Sequence, residues 1–171
     1  SIGGTDSDWD NNNINIFGPV TANKTVKNDT KDWIVEGRLI TVDEVAKIVG
    51  IKDILNWSSE TASSQNWFYF DGGSNEDPTS YSTVNGWRKQ YADSTHKSNV
   101  AWLYDNLKSC ENYGCNHQVS GSSNYRYFTS STPAGSTYYF WDVSNEGRAQ
   151  AHWTSWGDIR PVIEISKSYF K

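Results

Sequence analysis

Hydrophobic and polar positions divide this chain unevenly. The run Trp33-Ile-Val-Glu-Gly-Arg-Leu-Ile40 reads as a strand with a glycine interruption. Directly after it, Thr41-Val-Asp-Glu44 has the form of a capping box, in which the Thr side chain and the Glu carboxylate satisfy each other's backbone donors. Val42, Val45, Ile48 and Val49 follow at helical spacing, and Gly50 marks the stop. Residues 51–57 continue as a further turn of helix, and residues 58–98 show no sustained period. Ser98 to Leu107 predicts a second helix with Val100, Leu103 and Leu107 on one face. Three strand-like runs, Tyr125–Ser130, Thr137–Ser144 and Ile159–Ser166, complete an α+β pattern without internal repeats. Residues 1–30 are polar at their start and read as an extension or tether, with the folded domain in residues 31–171.

Composition alters this picture in one respect. Leu, Ile, Val and Phe are only 32 of 171 residues, which in a highly charged chain would mean disorder. The net charge is only −5, and nine Trp with ten Tyr supply the missing apolar area, so the core is aromatic. Ser, Thr and Asn together make 51 residues, favouring turns and strands over helices. The pI near 5.1 and the lack of a basic run argue against nucleic acid and anionic membrane surfaces. No apolar stretch is long enough to span a bilayer, and no signal peptide is visible. Without Met, the chain reads as a processed product whose anchor or export signal lay upstream.

Candidate chemistry is sparse. Asp6, Asp8 and Asp10 alternate as a calcium loop begins, but no Gly follows Asp10 and position 17 is Phe. His96, His117 and His152 have no metal-ligand spacing, and no nucleophile elbow or phosphate loop occurs. Cys110 and Cys115 flank a short loop containing Gly114, and the secreted character of the composition favours a disulfide over a metal pair. Within Arg148-Ala-Gln-Ala-His152, small and large polar residues alternate, placing one row inward and the other toward solvent if the segment is a strand. That strand should return antiparallel to Phe140–Ser144 through a turn at Asn145–Gly147. The expected binding patch therefore comprises Tyr138, Tyr139, Asp142, Arg148, Gln150, His152, Trp153 and Trp156, with Trp141 in the core.

Several stretches carry a family likeness: Tyr127-Phe-Thr-Ser-Ser-Thr-Pro133, Phe140-Trp-Asp-Val143, Gly147 and Ile159-Arg-Pro-Val-Ile-Glu-Ile165. Upstream, Gly37 to Val45, Trp102-Leu-Tyr-Asp105 and Tyr113-Gly-Cys115 add to them. In this order they resemble a group of bacterial and phage surface domains with the C-type-lectin-like fold, often attached to a pilin-like N-terminus. Phe128 in place of Trp, the extra Ser131 and Asp142 in place of Tyr depart from the group's pattern. The resemblance implies a small antiparallel sheet with two helices, long irregular loops, and first and last strands paired. It also implies an extracellular or surface-displayed module that binds a protein or glycan. Glu76-Asp-Pro78 and Trp141-Asp-Val143 lack the calcium-dependent sugar motifs of animal relatives, so binding is expected to be calcium-independent and to use no cofactor.

Two other readings stand beside this one. The first is a structural subunit of a surface filament or phage tail, self-assembling through a removed N-terminal segment. The second, more remote, is an oxidase like the formylglycine-generating enzyme, whose catalytic cysteines have the same spacing as Cys110 and Cys115. In those enzymes a Gly-Gly-Ser strand precedes the pair, whereas Gly72-Gly-Ser74 lies far upstream here, so no enzyme activity is expected.

The cysteine reading has a direct check. Alkylation of the unreduced, denatured protein should leave Cys110 and Cys115 unlabelled by mass spectrometry. Two alkylated thiols in protein kept under oxidising conditions would overturn it.

Overall fold

A computed structural model describes residues 4–6, 19–50, 66–70, 82–84, 87–91, 100–104, 126–131, 140–145, 147–152 and 156–170. At 4–6, 66–69, 82–84, 87–91, 151–152 and 156 it describes the backbone alone. Among the described residues the architecture is α+β, with two α-helices and two sheets. In chain order the elements are β1 (Gly4–Asp6), α1 (Val20–Thr30), β2 (Arg38–Leu39), α2 (Val42–Ile48), β3 (Asn66–Tyr69), β4 (Ser82–Val84) and β5 (Trp87–Tyr91). After a 3₁₀ turn at Ala101–Leu103 come β6 (Arg126–Phe128), β7 (Phe140–Ser144), β8 (Arg148–His152), β9 (Trp156–Asp158) and β10 (Pro161–Val162).

The larger sheet has the order β1-β9-β6-β7-β8-β3-β5-β4, and β2 pairs with β10 in the smaller one. The expected partnership of early and late strands is present, with Leu39 opposite Pro161 and Arg38 opposite Val162. It is shorter than predicted, because the chain turns at Trp33, whose N–H bonds to the Thr30 carbonyl at 3.0 Å. The larger sheet departs from the purely antiparallel expectation, since β3 runs parallel to β5 and β6 parallel to β9.

The capping box holds: Thr41 Oγ1 accepts from the Glu44 N–H at 3.1 Å, and Glu44 accepts from the Thr41 N–H at 2.8 Å. Val42, Val45, Ala46 and Val49 are buried, while Ile48 is turned partly to solvent. Gly50 then takes a left-handed φ of 77°, as a helix-ending glycine does. Arg38 bridges the helix start to the C-terminal segment through Glu44 and Glu164. Its guanidinium holds the Glu44 carboxyl down to about 2, below the usual carboxylate range.

Two expectations are corrected. Residues 20–30 are not a solvated tether. Ala22, Val26 and Thr30 of α1 are buried, and the first two join Leu39, Phe128, Phe140 and Ile159 in one core cluster. Thr and Asn made this segment look like linker, but its small apolar residues lie four apart on one helical stripe. Thr30 ends it by donating to the Val26 carbonyl at 2.7 Å and accepting from the Gly37 N–H at 2.8 Å. The second predicted helix is not α-helical throughout: Val100 is helical, but Ala101–Leu103 forms a 3₁₀ turn, and residues 98–99 and 105–107 lie outside the described residues. Val100 and Leu103 are buried as expected.

The opposite face of β6–β8 carries the other cluster, where Tyr127, Trp141, Val143 and Ala149 meet α2, Phe70, Val100 and Leu103. Trp141 is fully buried, as read from the sequence. Ile159 is buried and Val162 packs against this cluster, whereas Ile163 and Ile165 are exposed. Asp6 of the calcium-like alternation lies in β1; Asp8 and Asp10 lie outside the described residues, as do Cys110 and Cys115.

The packing of α1 sets a prediction. Val26→Ala should cost about 2 kcal/mol and lower Tm by roughly 4–8 °C, whereas Lys27→Ala should be neutral. Equal, negligible effects in a thermal melt would return the segment to a tether.

Candidate functional site

The predicted hairpin forms as expected. Asn145 and Gly147 lie in the turn, with the Gly147 N–H bonded to the Ser144 carbonyl at 3.1 Å. Gly147 has a φ of 73°, and the Tyr104 ring lies 3.2 Å from where a Cβ would stand, so a side chain is excluded twice over. Along the pair, Ser144 faces Arg148, Val143 faces Ala149, Asp142 faces Gln150, Trp141 faces Ala151 and Phe140 faces His152.

Burial differs from the expected pattern. Asp142 is 0% exposed and Gln150 5%, so neither presents a side chain to solvent, and Arg148 is only partly accessible. The alternation was read correctly, since Ala149 packs inward against the α2 cluster. The sheet here is covered on both faces, which turns the polar row into an internal network. Arg126 on β6 donates from Nη1 to Asp142 Oδ2 at 3.1 Å, the two side chains being 4% and 0% exposed. Gln150 lies opposite Asp142 on the neighbouring strand, and both it and Arg148 favour the charged carboxylate. Burial pushes the Asp142 carboxyl up to about 6, and Arg126 pulls against that shift without cancelling it.

The remaining predicted residues divide. His152 ends β8 opposite Phe140, and Trp156 opens β9 opposite Asp6, with β6 lying between β9 and β7. Tyr138, Tyr139 and Trp153 lie outside the described residues. The chain enters β7 from Tyr139 and leaves β8 into Trp153, so these two flank the Phe140–His152 pair in sequence. Arg148 sits at the other end of the hairpin, four residues or about 13 Å away along the strand.

Two residues matter that sequence reasoning did not single out for a role. Arg160 lies over the Tyr127 ring, 4.9 Å from its centroid, and donates to the Leu103 carbonyl at 3.2 Å. Burial lowers its affinity for a proton and holds the Tyr127 phenol protonated, well above its ordinary range. Arg126 is the second; its signal was the alternation Arg126–Phe128 beside a strand bearing Asp142.

Compared with protein-family models, curated proteins and solved structures, the chain matches none.

The ion pair makes a prediction with a pH signature. Arg126→Met leaves the carboxylate buried without its charged partner and should cost about 3–5 kcal/mol at pH 8. Asp142 already binds its proton more tightly folded than unfolded, so its contribution to stability falls as pH rises from about 4 through about 6. Losing Arg126 raises the folded value further, so the deficit should shrink at pH 5. Arg126→Met with Asp142→Leu should recover most of the loss at pH 8. Denaturant unfolding at both pH values decides it: a single-variant deficit independent of pH would be evidence against the pair.

Proposed function

We propose that this chain is a calcium-independent ligand-binding domain of the C-type-lectin-like kind, displayed outside a bacterial cell or on a phage particle. The observation that carries the reading is the register of the β7–β8 hairpin, in which Phe140 faces His152. Tyr139 and Trp153 adjoin that pair in sequence, and with Tyr138 they supply the aromatic residues of the reading. Aromatic side chains beside Ser and Thr supply the contact area and hydrogen bonding that dominate recognition surfaces. The fold assignment is supported by the pairing of β2 with β10 and by an aromatic core centred on Trp141.

In this reading the contact set narrows to Tyr138, Tyr139, His152 and Trp153. Asp142, Gln150 and Arg148 become the internal support that fixes the hairpin. The partner is a protein or a glycan, recognised by stacking and hydrogen bonding without a metal.

The test is binding of labelled protein to immobilised glycan and peptide arrays in EDTA. Tyr139→Ala or Trp153→Ala should weaken each interaction found by about 30-fold while Tm stays within a few degrees. Arg148→Ala should instead lower Tm. A Trp153→Ala protein that no longer folds would assign the indole to the core and remove the reading.

A further inference from the structure

Away from the hairpin, the turn after α1 and the C-terminal segment expose apolar side chains together. Ile34 is 96% exposed, Tyr169 71% and Phe170 74%, and Trp33, Ile163 and Ile165 are each more than two-fifths exposed. With Asp32 and Val35 they line one groove of about 560 Å³. The six named side chains offer roughly 700 Å² of largely apolar surface, more than a monomer's largest patch usually holds.

We propose that this groove is a two-fold interface with a second copy of the same chain. Three observations favour that occupant. The first is size: two such patches face to face would bury about 1,400 Å², within the range of specific, stable interfaces. Shape is the second. A two-fold contact requires one patch to meet itself, and the groove walls that would do so, Ile34 and Phe170 among them, are apolar and highly exposed. The third is charge. The exposed rim carries Lys31 and Lys167 beside Asp32, Glu36 and Glu164, so facing copies bring opposite charges within reach. A strongly charged partner or an anionic bilayer would find no matching excess on this rim.

The interface is independent of the ligand-binding reading, because it involves no residue of the β7–β8 hairpin. Sedimentation of the full chain from about 1 to about 200 µM should show the mass doubling from 19.3 kDa within that range. Ile34→Glu and Phe170→Glu, each at an exposed position, should raise the midpoint by about 30-fold or more with Tm unchanged. Array binding in EDTA should survive in both variants. A wild-type chain that stays monomeric throughout overturns the proposal, as does a dimer that persists in both variants. A monomer that instead sediments with neutral phosphatidylcholine vesicles through Ile34 and Phe170 would also overturn it, and would assign the groove to lipid.

Discussion

The hydrogen bond from the Ser130 N–H to the Ile40 carbonyl, 2.8 Å long, is where the two sheets meet. Its neighbours make the junction rigid. The Thr129 N–H and hydroxyl both reach the Trp141 carbonyl, and the Trp141 N–H returns to the Ser131 carbonyl at 3.0 Å. Ser131 Oγ accepts from the Val42 N–H at 3.0 Å, satisfying a donor at the start of α2 that the helix itself leaves open. Three consecutive small polar residues thus connect β7, the end of β2 and α2. All three are half-buried or buried, and hydroxyls here replace the water the backbone has lost. Of the three, Ser131 is the one that bonds the helix start.

Local signals were legible where one short stretch decides its own conformation. The capping box at Thr41–Glu44, the glycine stop at Gly50 and the turn at Asn145–Gly147 each rest on chemistry within a few residues. The inward side of Arg148–His152 was legible for the same reason, since a strand's period is fixed by its backbone. What the sequence did not disclose was the environment of the other side. An alternation of apolar and polar residues says that two faces differ, and water is only one of the things a polar face can meet. Asp142 meets Arg126, which lies 16 positions earlier on another strand, and no spacing rule links them. α1 was obscured differently: a helix rich in Thr and Asn has weak propensity and depends on Ala22 and Val26 finding Leu39, Phe140 and Ile159.

The covered polar face alters the chemical role of the hairpin. A carboxylate enclosed with Arg126, Gln150 and Arg148 cannot meet a ligand, but it can fix strand register. A one-residue slip would carry Asp142 into the apolar cluster around Trp141 and Val143. Such a slip would also part Asp142 from Arg126, leaving both charges buried without their partner. The Phe140–His152 pair at the end of the hairpin is thereby held in one register.

The closure of early strands on late ones has a kinetic consequence. β1 waits for β9 and β2 for β10, with Gly4 opposite Asp158 and Leu39 opposite Pro161. Bringing ends so distant together costs about 4 kcal/mol of chain entropy before any contact repays it. High contact order of this kind slows folding, and both pairings need residues near position 160. Until that stretch is available, α1 lacks Ile159 from its cluster and β2 has no partner. A chain built this way keeps its early strands unpaired for most of its synthesis.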